Sequence, residues 1–183
     1  MKAQKVEKIM EILRKSQHDE YIGEPISQLE HALQAAHFAR KMNASNEAIL
    51  ACLLHDLGHL CADKSAPQMD GLGVVNHENI GGDFLRQLGF NPKAIDLIEN
   101  HVQAKRYLCL KNPAYLKHLS EASRGTLNFQ GGPMTEAQAA AYEAHPYFNE
   151  RILVRRCDEM AKQVDLEVAD LDSYHSLLLS ALD

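Results

Sequence analysis

The stretch Ala48-Ile49-Leu50-Ala51-Cys52-Leu53-Leu54-His55-Asp56-Leu57-Gly58-His59 constrains the fold more than any other part of the chain. An apolar run at helical spacing, the mark of a core helix, ends in an adjacent imidazole and carboxylate, with a glycine directly behind them. Burying that pair is costly unless something compensates both groups. A metal ion does so, because it takes neutral imidazole and carboxylate together. A lone His-Asp pair arises by chance in many chains, so the remaining ligands must come from elsewhere.

The chain of 183 residues is long enough for one domain, residues 1–183, around a sizeable core. The 45% hydrophobic content excludes a disordered chain, and the formal net charge of -6 argues against a nucleic-acid or anionic-membrane surface. Groups that bind an anion must therefore be local. Cys52, Cys61, Cys109 and Cys157 form no Cys-x-x-Cys pair, which fits reduced thiols in a cytoplasmic protein. The amphipathic start, residues 1–16, has no uninterrupted apolar stretch of the kind found in a signal peptide, and no run reaches transmembrane length.

Helical periodicity recurs along the chain, and strand signals are nearly absent. The expected helices cover about 1–16, 27–43, 47–57, 77–88, a segment from Pro92 through Val102, two short pieces within 112–123, one capped by Thr135, then 146–163 and 171–181. Asn46 is the expected cap of the third helix and Gly58 its terminator. The fold class is an all-α, single-domain helical bundle, with a metal site in its core at about 27–163.

His31, His55, Asp56, His77, His101 and Asp158 each fall on or at the end of an expected helix beside apolar neighbours. Taken singly, His31 or His77 reads more simply as a surface or satisfied core histidine, and Asp158 beside Glu159 as part of a solvated face. Six such groups on five helices read better as ligands pointing into one bundle. Four imidazoles and two carboxylates suffice for two metals with one carboxylate bridging. His31, His55, Asp56 and Asp158 alone suffice for one.

The series His31, His55-Asp56, His77, His101, Asp158 resembles the HD-domain superfamily in its six-ligand, dinuclear form. Most members of that superfamily are metal-dependent phosphohydrolases, and one branch comprises mixed-valent di-iron oxygenases. Tyr21-Ile22-Gly23-Glu24, Gln28-Leu29-Glu30-His31, His101 to Leu108 and Gln130-Gly131-Gly132-Pro133-Met134 resemble that branch, most closely its phosphonate dioxygenases. Gln103, between His101 and Lys105, is a local departure from that pattern.

The resemblance implies two irons, Fe(II)/Fe(III), with Asp56 as the bridging ligand and O2 as co-substrate. It implies cleavage of the C–P bond of (R)-2-amino-1-hydroxyethylphosphonate to glycine and phosphate, in phosphonate catabolism downstream of a 2-aminoethylphosphonate hydroxylase. It assigns the phosphonate to His59, Lys105, Ser123, Thr126 and Arg155, makes Tyr21 a displaceable iron ligand, and gives Glu24 the substrate amine. Spacing lends modest independent support: Lys105 follows His101 by one helical turn, and Arg155 precedes Asp158 by three residues. Without the resemblance, Lys105 and Arg155 read equally as solvated cations, Ser123 and Thr126 as helix caps, and Tyr21 and Glu24 as a surface turn. Gly71 and Gly73 do not make a phosphate loop, since no strand precedes them and no Gly-Lys-Ser/Thr follows.

Three other readings stay open. The same chemistry on the N-trimethylated analogue would give glycine betaine and would call for cation–π contacts rather than a carboxylate. A metal-dependent phosphohydrolase would use the same cations around a phosphate ester. A catalytically silent regulatory HD domain would keep the fold alone.

Overall fold

The computed structural model describes residues 1–183, and the chain folds into twelve α-helices with no strand. They are α1 (Lys2–Lys15), α2 (Gln28–Lys41), α3 (Asn46–Leu54), α4 (Leu57–Cys61), α5 (His77–Gln87), α6 (Pro92–Glu99), α7 (His101–Lys111), α8 (Pro113–His118), α9 (Glu121–Phe129), α10 (Glu136–Glu143), α11 (Phe148–Met160) and α12 (His175–Ser180). The all-α expectation is borne out.

The apolar run opens this order from the middle. Ala48 to Leu54 are all buried, and α3 is packed against α2, α6 and α11. Burial of each large side chain such as Leu50, Leu53 or Leu54 contributes roughly 1.5–3 kcal/mol, which fixes α3 as the axis of the bundle. Around it, α2 starts from a reciprocal capping box in which Ser27 and Glu30 satisfy each other's backbone amides. Thr135 and Gln138 do the same for α10, as the sequence predicts for the Thr135 cap.

Several boundaries differ from expectation: the second short piece expected within 112–123 is α9, which runs on to Phe129, and two of the other differences shape the site. Ser45, not Asn46, caps α3 by accepting from the Ala48 amide. Gly58 does not end that helix. The chain leaves α3 after Leu54, and Gly58 lies inside the separate short helix α4. Its hydrogen atom occupies space that a side chain would contest with the His77 carbonyl and the Gly81 amide, so α4 and α5 approach backbone to backbone. The segment from Pro92 through Val102 is likewise two helices, broken at Asn100, which ends α6 and precedes His101. Both breaks turn a histidine inward at an element boundary.

Candidate metal centre and anion pocket

His31, His55, His77, His101 and Asp158 are buried, and Asp56 is half-buried. Helix α2 supplies His31, the α3–α4 junction His55 and Asp56, the first residues of α5 and α7 His77 and His101, and α11 Asp158. The backbone dictates the orientation of three imidazoles. His31 Nδ1 donates to the Ala161 carbonyl at 2.7 Å, His55 Nδ1 to Cys52 at 2.8 Å and His101 Nδ1 to Ile98 at 2.7 Å. Their Nε2 atoms then carry lone pairs facing inward.

Those lone pairs face one another. His31 Nε2 lies 3.0 Å from His55 Nε2, and His77 Nε2 lies 3.1 Å from His101 Nε2. The two acceptors of His31 and His55 repel at that distance unless a positive group joins them, and the His101 acceptor faces His77. About 3.0 Å is also the spacing of neighbouring ligand atoms held at about 2.1 Å from one cation. Asp56 divides its oxygens between the pairs. Oδ2 is 3.4 Å from His55 and 3.6 Å from His31, while Oδ1 is 3.4 Å from His77 and 3.8 Å from His101. Asp158 Oδ1 completes the first group at 3.4 Å from His31.

The donor set thus fits two cations sharing Asp56, one with four protein atoms and the other with three. The buried carboxylates make the same demand electrostatically. Burial opposes a charge on His55, yet Asp56 and Asp158 raise its pKa to about 9, so a proton is drawn in where no cation balances the site.

Beside the three-atom group lies a cavity of ≈ 70 Å³. His77 and His101 line it together with Tyr21, His59, Lys105, Ser123, Thr126, Arg155 and Lys162. The His59 ring stacks on His77 with centroids 3.9 Å apart. Its Nδ1 accepts from the Val74 amide at 3.0 Å, which leaves the proton on Nε2, facing Asp56 and the cavity. Burial, reinforced by His77, lowers the His59 pKa to about 3, so this ring is a neutral donor.

Lys105 Nζ donates to Thr126 Oγ1 at 2.8 Å and to the Ser123 carbonyl at 3.1 Å. Burial and then Arg155 bring its pKa down to about 7, which marks a cation short of a counter-ion. Arg155 is held by Tyr115 Oη at 2.8 Å and pairs with Asp158 and Glu159. Burial works against its charge, but Asp158 and the other neighbours raise its pKa. Ser120, not Ser123 or Thr126, caps α9 by accepting from the Ser123 amide.

Tyr21 stacks face to face on His31, centroids 3.8 Å apart, and lines the cavity. Burial, then Asp158 and Asp56, hold its phenol well above the usual range. Glu24 is not brought into the cavity lining. Its side chain lines a second pocket with Pro25 and Ser27, and its carboxylate is 3.6 Å from Lys162 Nζ. Gln103 also stays outside, accepting from Arg106 at 2.9 Å. Arg106 in turn donates to the Gly132 carbonyl at 2.8 Å, which explains the Gln130-Gly131-Gly132-Pro133 stretch as an anchor for the end of α9.

Two residues escaped the sequence reading. Lys162 lines the cavity, and Glu78 places a buried carboxylate oxygen 3.6 Å from His77 Nδ1, the one of the four clustered imidazoles without a backbone carbonyl partner. The unpartnered state of both atoms is the signal that pairs them.

Residues 29–163 match the family described as HD domain. The chain belongs to the HD-domain family. It is 42% identical over 164 residues to hydroxymethylphosphonate dioxygenase of Gimesia maris, covering 89% of this chain and 81% of that one. It is 41% identical over 153 residues to [1-hydroxy-2-(trimethylamino)ethyl]phosphonate dioxygenase (glycine-betaine-forming) of Leisingera caerulea, covering 83% and 77%. An uncharacterized protein, L432, of Acanthamoeba polyphaga mimivirus is 38% identical over 180 residues, covering 98% and 82%. These relatives bear out the oxygenase resemblance read from the sequence. No helix is long and apolar enough to cross a membrane.

Proposed function

We propose that this protein is a di-iron dioxygenase that cleaves the C–P bond of a 1-hydroxyalkylphosphonate, with (R)-2-amino-1-hydroxyethylphosphonate as substrate and glycine and phosphate as products. The observation that carries the reading is the split of Asp56 between two facing imidazole pairs, beside a small cavity rich in cations. His31, His55, Asp56 and Asp158 would hold one iron, and His77, His101 and Asp56 the other. When bound, the Fe(II)/Fe(III) pair supplies O2 activation and redox capacity that zinc or magnesium lacks.

The protein's own residues do the rest. His59 Nε2–H, Lys105, Arg155, Ser123 and Thr126 orient the phosphonate dianion by charge-assisted hydrogen bonds. Tyr21 closes the cavity over His31 and yields its place when substrate enters. Glu24, on the same turn, accepts from the substrate ammonium once that turn moves. The substrate would reach this enzyme from a hydroxylase acting on 2-aminoethylphosphonate.

Cavity size supports the choice of substrate. The enclosed space of ≈ 70 Å³ suits a molecule of few heavy atoms. Tyr21 is the one Phe, Tyr or Trp in the lining, which supports a primary amine over a trimethylammonium that needs an aromatic cage. The test compares metals and atmospheres. Iron-loaded protein should release phosphate from the substrate in air and not under argon, and zinc-loaded protein in neither. Phosphate release from an ester under argon would establish hydrolysis instead.

A further inference from the structure

Resting on that reading, we propose that Lys162 is a third phosphonate-binding cation and that Glu24 is its counter-ion in the substrate-free protein, so that binding exchanges one internal ion pair for two pairs with a zwitterion.

Lys162 is placed with unusual firmness for a residue beyond a helix end. The Gln163 amide donates to Gln34 Oε1 at 3.0 Å, Gln34 Nε2 donates to the Gln163 carbonyl at 2.7 Å, and the Ala161 carbonyl receives His31 Nδ1. The residues flanking Lys162 are therefore tied to α2 on both sides, one turn apart. From that anchor its side chain reaches the cavity, with Nζ 3.3 Å from Ser120 Oγ and 3.6 Å from Glu24 Oε1. Lys162 and Glu24 are 15% and 18% exposed, so each would lose much of its hydration if left alone. The cavity's own carboxylates, Asp56 and Asp158, are engaged by the four ligand histidines and Arg155, so Glu24 is the charge that balances Lys162.

A ligand with a phosphonate and an ammonium group satisfies both partners when they separate: the phosphonate takes Lys162 and the ammonium takes Glu24. A phosphonate without an amine takes Lys162 and leaves Glu24 unpaired, or leaves the pair intact and forgoes the third cation. The Glu24–Lys162 pair thus selects for the zwitterion, partly by penalising its amine-free analogue.

Calorimetric binding to the metal-loaded protein under argon tests this, using (R)-2-amino-1-hydroxyethylphosphonate and hydroxymethylphosphonate, with a thermal melt of each variant. Glu24→Gln should bind hydroxymethylphosphonate about two- to fivefold more tightly than the natural protein, because Lys162 is released. Adding Lys162→Met should abolish that gain. A loosened fold would weaken both ligands and could not tighten one. Unchanged or weaker hydroxymethylphosphonate binding by Glu24→Gln overturns the exchange. If neither phosphonate binds the natural protein, the phosphonate reading falls, and this inference with it.

Discussion

Replacing Gly58 by alanine should dismantle half of the candidate metal centre from a position that touches no candidate ligand's side chain. A Cβ at residue 58 would overlap the His77 carbonyl oxygen and stand 2.7 Å from its carbon and 2.8 Å from the Gly81 nitrogen. All of these are backbone atoms, so no side chain can rotate away and α5 itself must retreat. Overpacking costs about 1–3 kcal/mol where side chains can adjust, and the rigid contact here puts the cost near the upper end, about 3 kcal/mol. For a chain of this length, Tm should fall by roughly 6–12 °C. His77 opens α5 and would move with it, away from His101 and Asp56. Metal analysis of folded Gly58→Ala should then find one ion per chain held firmly, by His31, His55, Asp56 and Asp158, and the second lost on dialysis. Gly71→Ala is the control. It has a positive φ but nothing within 4 Å, so it should cost about 1 kcal/mol and leave both ions in place. A Gly58→Ala protein with unchanged Tm and two retained ions would refute the argument that this close approach positions His77.

Lys105→Met should weaken phosphonate binding by about ten- to a hundredfold, the loss of one charged hydrogen-bonding partner, while the melting temperature holds or rises because a buried charge is removed. The same substitution should change the pH dependence of stability. Lys105 has a pKa of about 7 in the folded protein against an ordinary value of 10.5, so between these values the unfolded chain holds a proton that the folded one has released. This residue therefore makes stability rise with pH across that window, and denaturant titrations of the substrate-free protein should lose that part of the slope in Lys105→Met. Glu78→Gln should weaken the ion held by His77 and His101 by about ten- to a hundredfold in a chelator competition, with the other ion unaffected; equal affinities would remove Glu78 from that role.

How much the sequence foretold depended on whether the information was local. The residues that the fold gathers into the cluster were legible because each imidazole or carboxylate interrupts an apolar face, and Asp56 follows the most apolar stretch of the chain. The breaks that aim those ligands were not legible. Apolar spacing runs on through Leu97, Ile98 and Val102, while the chain breaks at Asn100, whose side chain donates to the Asp96 carbonyl. Gly58 looked like a terminator because glycine commonly ends helices. Its actual partner, the backbone of α5, begins nineteen residues later in the chain. Lys162 went unseen for the same reason: Gln34 places it from more than a hundred residues away. Glu78 lies in the first turn of α5, where the helix dipole alone accounts for an acid, so nothing local in the sequence ties it to His77.

The most direct test of the central claim is an oxygen-electrode measurement on iron-loaded, partly reduced protein supplied with (R)-2-amino-1-hydroxyethylphosphonate, with glycine and phosphate assayed in the same samples. The account predicts one O2 consumed for each glycine and each phosphate formed. Phosphate released without oxygen uptake, or no reaction with this substrate under conditions where both irons are bound, would contradict it.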